Sequence, residues 1–148
     1  MALTLSTGCV KKLMDTNPFK TVFNLCFIDI YSGSKPTSPD NAPNGTLLVT
    51  VSNAGTATGL TWSATAPAGV ISKNGAETWS GTIAASGTAG WFRIRESGDV
   101  TPNSSSTTLA RVDGTVSTSG ADMNLGSLTF TAAAPFVLTQ SDITLPAA

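Results

Sequence analysis

Apolar residues in this chain recur in short stretches separated by Gly, Ser, Pro and Asn, and hardly any stretch shows a helical period. Within several stretches apolar and polar residues alternate, as they do in a half-buried strand. Short strands at this spacing predict an all-β fold, an antiparallel β-sandwich or jelly roll, with a barrel as the related form. The stretches predicted as strands are residues 20–33, 46–52, 59–64, 87–96, 107–117, 123–131 and 136–145.

The chain before the first predicted strand has two interpretations. Residues 6–16 fit one short helix capped by Ser6 or Thr7. An extended N-terminal arm over residues 1–20 is the alternative, and Pro18 favours a break in either case.

Two further features organise the chain. Residues 33–45 hold three prolines and no apolar period, which indicates a long Pro-rich loop. A length of 148 residues is typical of one domain, so we assign 1–148 to a single β-sandwich domain.

The strongest local turn signal is the Asn-Gly pair at positions 74–75. Both residues of such a pair tolerate positive φ, which matches the twist of a two-residue hairpin turn. The sequence therefore predicts a hairpin here, with Val70 opposite Trp79 and Ile71 opposite Thr78.

Charge is concentrated in an unexpected place, the apolar stretch at residues 90–96. Only 11% of the chain is charged, yet this stretch contains Arg93 and Arg95. Alternation places Phe92 and Ile94 on one strand face and both arginines on the other.

A partner for this polar face is found further along the chain. In residues 108–116, alternation places Arg111 and Asp113 together on one face. If the two stretches pair as a hairpin, Arg93 lies across from Asp113 or Arg111, depending on register. We expect this arginine–aspartate ladder on an outward sheet face, either in water or against a neighbouring subunit, where arginine is enriched.

The overall charge and hydropathy argue against two classes of partner. The formal net charge of −1 offers no basic surface for nucleic acid. No apolar run is long enough to span a membrane, and no secretory signal pattern precedes the strands, so we expect synthesis and assembly in a cytoplasm.

The residue types also exclude several catalytic systems. The chain has no histidine, which rules out serine–histidine and cysteine–histidine nucleophile pairs. A paired-carboxylate glycosidase stays formally possible, but most of the acids flank turns and are expected at the surface. The acids in question are Asp29, Glu77, Glu96, Asp99, Asp113, Asp122 and Asp142.

Cysteine and tryptophan each leave alternatives open. Cys9 and Cys26 fit small buried hydrophobes, and a disulfide between them is the alternative; zinc is not expected with two thiols and no histidine. Trp62, Trp79 and Trp91 are expected in the core or at a protein interface, and a sugar-stacking platform is the alternative.

Three segments carry a resemblance to a known group of proteins. They are FIDIYSGSKPTSPDNAPNGTLLVTVS at residues 27–52, ISKNGAETWSGTIAASGTAGWFRIRE at 71–96 and ARVDGTVSTSGADMNLGSLTF at 110–130. The chain resembles small β-rich proteins encoded among the virion genes of tailed bacteriophages. The resemblance spans most of residues 27–131.

The resemblance implies a non-enzymatic structural component of the virion, with no catalytic residue and no cofactor. The expected role is a capsid cement or decoration protein that binds the major capsid protein and contacts copies of itself. A neck, tail or fibre component, including one that binds a receptor or carbohydrate, is the alternative. Candidate protein-interface residues are Lys11, Lys12, Trp62, Trp91, Arg93, Arg95, Arg111 and Asp113.

Overall fold

A computed structural model describes residues 3–15, 17–139 and 142–144 of the chain. The predicted all-β class is confirmed, because nine strands form one large, mostly antiparallel sheet and the helices are few and short. The arrangement is consistent with an all-β sandwich. Among the described residues, no helix combines the length and the hydropathy that crossing a bilayer requires.

The strands of the large sheet follow the order β1-β7-β6-β2-β3-β5-β10, with β8 beside β7 and β9 beside β6. A second sheet pairs β4 with β11. The strand bounds are β1 Thr4–Leu5, β2 Phe27–Ser32, β3 Leu47–Asn53, β4 Val70–Ser72, β5 Trp79–Thr82, β6 Gly87–Arg95, β7 Arg111–Ser117, β8 Met123–Asn124, β9 Thr129–Phe130, β10 Pro135–Val137 and β11 Asp142–Thr144.

The predicted N-terminal helix forms as α1, Thr7–Met14. Ser6 caps it, because the Ser6 hydroxyl accepts a hydrogen bond from the Cys9 amide at 3.0 Å. The helix ends before Pro18, as predicted. The strand β1 that precedes it pairs with β7, so this end of the chain combines an extended piece with a helix.

The first predicted strand, residues 20–33, is too long at its beginning. Phe19–Val22 forms a second short helix, α2, and the strand begins only at Phe27. The aromatic and β-branched content of this stretch suggested a strand, but Pro18 is the N-cap of α2, and its carbonyl accepts from the Thr21 amide at 2.8 Å and from the Val22 amide at 3.1 Å. Leu25 then takes a positive φ of 57°, where the chain turns into β2.

The predicted Asn-Gly hairpin is wrong. Val70–Ser72 pairs with β11, and Trp79–Thr82 pairs with β3 and β10, so the two halves do not pair with each other. Asn74 and Gly75 keep negative φ, and the Glu77 amide donates to the Asn74 carbonyl at 3.1 Å. Non-local pairing has overridden the local turn preference. The predicted strand at 59–64 is reduced to isolated bridges at Leu60 and Trp62.

The hydrophobic core lies on one face of the central strands. Phe92 and Ile94 of β6 and Val112 of β7 are fully buried there. They belong to one cluster that also contains Phe23 beside α2 and Cys9 of α1. Gly114 is required at this face, since a Cβ there would lie 2.5 Å from the Phe92 ring. The face opposite this core carries the site.

Candidate functional site: a buried ion-pair layer

A layer of charged side chains covers the second face of β2, β6 and β7. Its members alternate with the core residues along each strand, as the sequence predicted for Arg93 and Asp113. The layer holds three arginines and three aspartates in three ion pairs. We call it the polar layer and define it by Asp29, Arg93, Arg95, Asp99, Arg111 and Asp113.

The register of the sheet aligns the central pair. Asp29, Arg93 and Asp113 lie directly opposite one another across β2, β6 and β7. The Arg93 guanidinium donates to both carboxylate oxygens of Asp113, from Nε at 2.7 Å and from Nη2 at 2.8 Å. Both side chains are 0% exposed. Two-pronged bonding of this kind fits the planar guanidinium and fixes its orientation.

The second pair runs diagonally across the same strands. Arg95 Nε donates to Asp29 Oδ2 at 2.7 Å, although Phe27 is the residue that lies opposite Arg95. The other oxygen of Asp29 accepts from the Thr50 hydroxyl at 2.6 Å. The Arg95 guanidinium also lies over the Phe27 ring, 4.6 Å from its centroid. The buried carboxylate of Asp29 therefore has a partner on each of its two neighbouring strands.

The third pair ties a loop to the sheet. Arg111 Nε donates to Asp99 Oδ2 at 2.6 Å, and Nη2 donates to Asp99 Oδ1 at 3.1 Å. Asp99 belongs to the loop between β6 and β7, and both side chains are fully buried. The Asp99 carbonyl in turn accepts from Arg95 at 2.8 Å. Asp99 thus joins the second and third pairs through its main chain and its side chain.

Two loops of this chain shield the polar layer from water; we call the segments 33–46 and 96–110 the cover loops. Main-chain carbonyls of both loops accept further hydrogen bonds from the layer. Arg93 Nη1 donates to the Asn41 carbonyl at 3.1 Å, and Arg111 Nη1 donates to the Ser104 carbonyl at 2.7 Å. The Trp91 indole donates to the Asn44 carbonyl at 3.2 Å. Since each arginine meets both a carboxylate and a carbonyl, burial leaves the pairs hydrogen-bonded.

The cover loops are also fastened to each other and to the N-terminal helix. The Ser106 amide donates to the Asp40 carbonyl at 2.8 Å, which joins the two loops. The Asp40 carboxylate accepts from the Thr7 amide at 2.9 Å and from the Thr7 hydroxyl at 2.6 Å, at the start of α1. A carboxylate at this helix end accepts an otherwise unsatisfied amide and is favourable to the helix dipole.

A fourth ion pair joins α1 to the edge of the polar layer. Lys12 Nζ lies 2.5 Å from Glu96 Oε2, and the Lys12 side chain is 38% exposed. Glu96 also accepts from the Ala110 amide at 2.9 Å. Water reaches this pair, so it is weaker than the three pairs beneath the loops.

Burial shifts the ionisation of groups in and beside the layer. Desolvation raises the pKa of Asp113 above its ordinary value of 3.8, while the bonds from Arg93 act in the opposite direction. Burial also raises the pKa of Tyr31, whose ring stacks on Trp91 with centroids 4.4 Å apart. The Tyr31 hydroxyl has no hydrogen-bond partner among the described residues.

The outward ladder predicted from the sequence is wrong in its environment, although the pairing itself is confirmed. Arg93 does lie across from Asp113, but both are covered by the chain's own loops, as is Arg111. Trp62 and Trp91 are buried as well, at 3% and 0% exposure. These five side chains offer no surface to a partner, because the cover loops and the core enclose them.

The other three predicted interface residues keep some exposure. Lys11 is exposed on α1, Lys12 is partly exposed beside Glu96, and the Arg95 side chain is 13% exposed. Their role as partner contacts stays a prediction.

All three tryptophans are buried, so the sugar-stacking platform considered for them is wrong. The Trp62 indole donates to the Phe23 carbonyl at 3.1 Å, and the Trp79 indole donates to Glu77 at 2.9 Å. Their rings pack edge to face, 5.1 Å apart. No indole face is open for stacking against a sugar.

Cys9 and Cys26 are both free and buried, so the alternative of a disulfide between them is wrong. Burial raises the pKa of each thiol to about 12, which keeps both thiols protonated at neutral pH.

The expectation that most acids are surface turn residues is wrong for the members of the polar layer and for Glu96. Asp29 carried a usable signal, because a lone carboxylate inside an apolar strand needs a cationic partner on a neighbouring strand. Asp99 carried no such signal, since it stands in a turn-like Ser-Gly-Asp sequence. Glu77 is a further acid with a structural role: it accepts from Thr61 and Trp79 and organises the segment around Asn74.

Outside the polar layer, an open groove is lined by exposed apolar side chains. It has a volume of about 720 Å³, and Leu25 and Val100 line it at 42% and 82% exposure. Phe27 and Arg95 form part of its wall. The groove therefore borders the second ion pair, at the end of the sheet where β2 begins and β6 ends.

Comparison of the chain with protein families, with curated proteins and with solved structures finds no match.

Proposed function

We propose that this protein is a non-enzymatic structural component of a tailed-phage virion, and that it acts as a capsid cement or decoration protein. The proposal rests on the resemblance of its sequence segments to small virion proteins. Binding to the major capsid protein, contacts between copies and a location on the virion are all parts of this proposal.

One observation links the sequence segments to the structure: the segments of the resemblance supply five of the six residues of the polar layer, whereas Asp99 and most of the second cover loop lie outside them. Residues 27–52 supply β2, the first cover loop and β3. Residues 71–96 supply β6, and residues 110–130 supply β7. The family-like segments therefore include Trp91 and Arg93, which hold the first cover loop on the sheet.

The chemistry of the layer suits a rigid body better than a reaction centre. Each of its carboxylates is held by an arginine, and an arginine guanidinium stays charged at any working pH. A general acid or base needs freedom to exchange its proton with a substrate. Carboxylates held in buried pairs beneath two loops lack that freedom, whereas locked loops keep a binding surface in one shape.

The first test is the protein content of purified virions from a phage that encodes this chain. Mass spectrometry is expected to find the protein at a fixed ratio to the major capsid protein. A protein that is missing from carefully purified particles overturns the proposal. Imaging of the same particles separates the two roles: density on the head supports cement, and density at the neck or tail supports the alternative component.

The second test asks whether the protein stabilises the head. Capsids assembled without it are expected to release DNA at lower temperature or after milder chelation than capsids that carry it. Adding the purified protein back provides the control, since rescue must follow if the loss is direct. Unchanged robustness counts against cement, even for a protein that is present in virions.

Lys11 on α1 is the most exposed of the three predicted contacts that keep some exposure. Lys11→Glu reverses a charge that makes no ion pair among the described residues, so the fold is expected to be unaffected. Weaker incorporation into capsids would assign Lys11 to the interface, and unchanged incorporation would remove it from the contact. Lys20→Glu, on α2, is the control for the charge change; because it also removes the bond from Lys20 Nζ to the Ala64 carbonyl at 3.1 Å, its unfolding free energy is measured alongside.

A further inference from the structure

The chain contains two Asn-Gly sequences, at positions 44–45 and 74–75, and the structure treats them differently. An asparagine followed by glycine can deamidate, because the glycine amide nitrogen can reach the asparagine side chain and glycine has no Cβ to obstruct it. Whether it does so in a folded protein depends on how firmly the side chain and the main chain are held.

Asn74 is held on all sides. Its side-chain Nδ2 donates to the Thr61 hydroxyl at 2.9 Å, and its Oδ1 accepts from the Ala76 amide at 3.0 Å. Its carbonyl accepts from the Glu77 amide at 3.1 Å. Thr61 is itself fixed, since it donates to Glu77 at 2.7 Å. The side chain cannot rotate toward the Gly75 amide without breaking these bonds.

Asn44 is held only through its main chain. The residue is exposed, and among the described residues no hydrogen bond reaches either its side-chain amide or the Gly45 amide. Its carbonyl accepts from the Trp91 indole. The electrophile and the nucleophile of the deamidation reaction are therefore both free at this position, in a cover loop that faces water on its outer side.

We propose that Asn44 is a site of spontaneous chemical modification in the folded protein, whereas Asn74 is protected by its hydrogen bonds. The Gly45 amide nitrogen attacks the side-chain carbonyl carbon of Asn44 and forms a new C–N bond. The side-chain nitrogen leaves as ammonia, carrying the proton that the Gly45 amide gives up. Water then opens the resulting succinimide.

The direction of ring opening decides the consequence. Attack of water on the former side-chain carbonyl yields aspartate. Attack on the former main-chain carbonyl yields isoaspartate, in which the chain runs through the side-chain carbon and the old carbonyl becomes a carboxylate. That carbonyl is the acceptor of the Trp91 indole, so isoaspartate lengthens the first cover loop at the point where it is attached to β6.

The experiment incubates the full chain in mildly alkaline buffer made with ¹⁸O water and follows both sites by tryptic peptide mapping. Cleavage after Lys73 and Arg93 puts Asn74 on its own peptide, and fragment spectra resolve Asn44 from its neighbours. The rate at each site is divided by the rate in the same chain unfolded in denaturant. This ratio removes the intrinsic reactivity of the local sequence.

The ratio is expected to be several-fold lower for Asn74 than for Asn44, because only the main chain of Asn44 is held. Thr61→Val removes the hydroxyl that holds the Asn74 side chain, so it is expected to raise the rate at Asn74 and to leave Asn44 unchanged. Asn44→Ala is the blank for the first site. Equal suppression at the two sites, or faster reaction at Asn74, overturns the proposal.

A second readout connects the chemistry to the loop. Chains enriched in isoaspartate, recognised with an isoaspartyl methyltransferase, are expected to exchange the Trp91 indole proton faster than fresh chains do. Unchanged exchange at Trp91 would show that the modified loop keeps its attachment, and would overturn the structural consequence.

Discussion

The two faces of β6 are equally buried, yet different forces hold them. Phe92 and Ile94 on one face are fully enclosed by apolar neighbours, and Arg93 on the other is fully enclosed by a carboxylate and a carbonyl. Apolar burial is nondirectional and scales with area. A buried ion pair depends on geometry, because desolvation removes most of what the attraction provides.

The two faces of β6 therefore differ in how well they tolerate substitution. Removing atoms from the apolar face lowers the unfolding free energy of the protein gradually, because each small change leaves only a small cavity. Removing one partner from the polar layer lowers it by a large amount at once, because the remaining charge stays buried without a partner. Three substitutions and one pH dependence follow from this difference, in order of decreasing effect.

The largest effect is expected for Asp113→Ala, which leaves the Arg93 charge buried beneath the first cover loop without its carboxylate partner. Breaking a buried pair in this way costs about 3–5 kcal/mol of unfolding free energy. Urea unfolding measures it. The double variant Arg93→Met, Asp113→Leu removes both charges and is expected to recover most of the loss. A cost under about 1 kcal/mol for Asp113→Ala, the range of exposed pairs, would mean that water reaches this face.

Arg93→Lys is expected to cost about 1–3 kcal/mol, although it keeps the charge. The ammonium group cannot make the two parallel bonds to Asp113 and also reach the Asn41 carbonyl. Denaturant unfolding gives the value, and Lys11→Arg on the exposed side of α1 is the control, expected within about 0.5 kcal/mol of the parent. Equal values for the two variants would contradict a geometric requirement.

A milder loss is expected on the apolar face. Ile94→Val removes one methylene from a fully buried side chain and is expected to cost about 0.5–1.5 kcal/mol. The same urea experiment applies. If this conservative change cost as much as Arg93→Lys, the contrast between the faces would disappear.

The smallest effect is the pH dependence that Asp113 adds. Its pKa is raised in the folded state above the ordinary 3.8, chiefly by burial, so the folded chain holds this proton more tightly than the unfolded chain. The contribution to stability is present below the unfolded pKa and is lost as pH rises through the folded pKa. The stability of the wild type relative to Asp113→Asn is therefore expected to fall as pH rises through that window. NMR titration of the Asp113 carboxyl carbon is then expected to give a pKa above 3.8. A pKa below 3.8 would mean that stability rises with pH in this range instead of falling.

Alternation along the strands was enough to predict half of the site. It placed Arg93 and Arg95 on one face and paired Arg93 with Asp113 as one of two registers. The alternation did not predict that loops cover this face, because the cover loops bind the strands through main-chain carbonyls. Every residue has a carbonyl, so the acceptors at Asn41, Asn44 and Ser104 leave no trace in the sequence.

The Asn-Gly hairpin failed for a related reason. A local turn propensity does not predict with which distant strand the flanking residues form their hydrogen bonds. Trp79–Thr82 pairs with two strands, β3 and β10, while the partly buried carboxylate of Glu77 fixes the turn in another form. Predictions from short-range pattern are secure only where no long-range partner competes.

The hydrogen bonds of Ser6 bear on when the N-terminal helix can dock during synthesis of the chain. The Ser6 amide donates to the Arg111 carbonyl, and the Ser6 hydroxyl accepts from the Arg111 amide, each at 2.9 Å. The segment around Ser6 leaves the ribosome more than 100 residues before its binding site on β7. Contacts this distant in sequence form late and slowly. We therefore expect α1 to dock late, and the polar layer to stay open to water at that edge until it does.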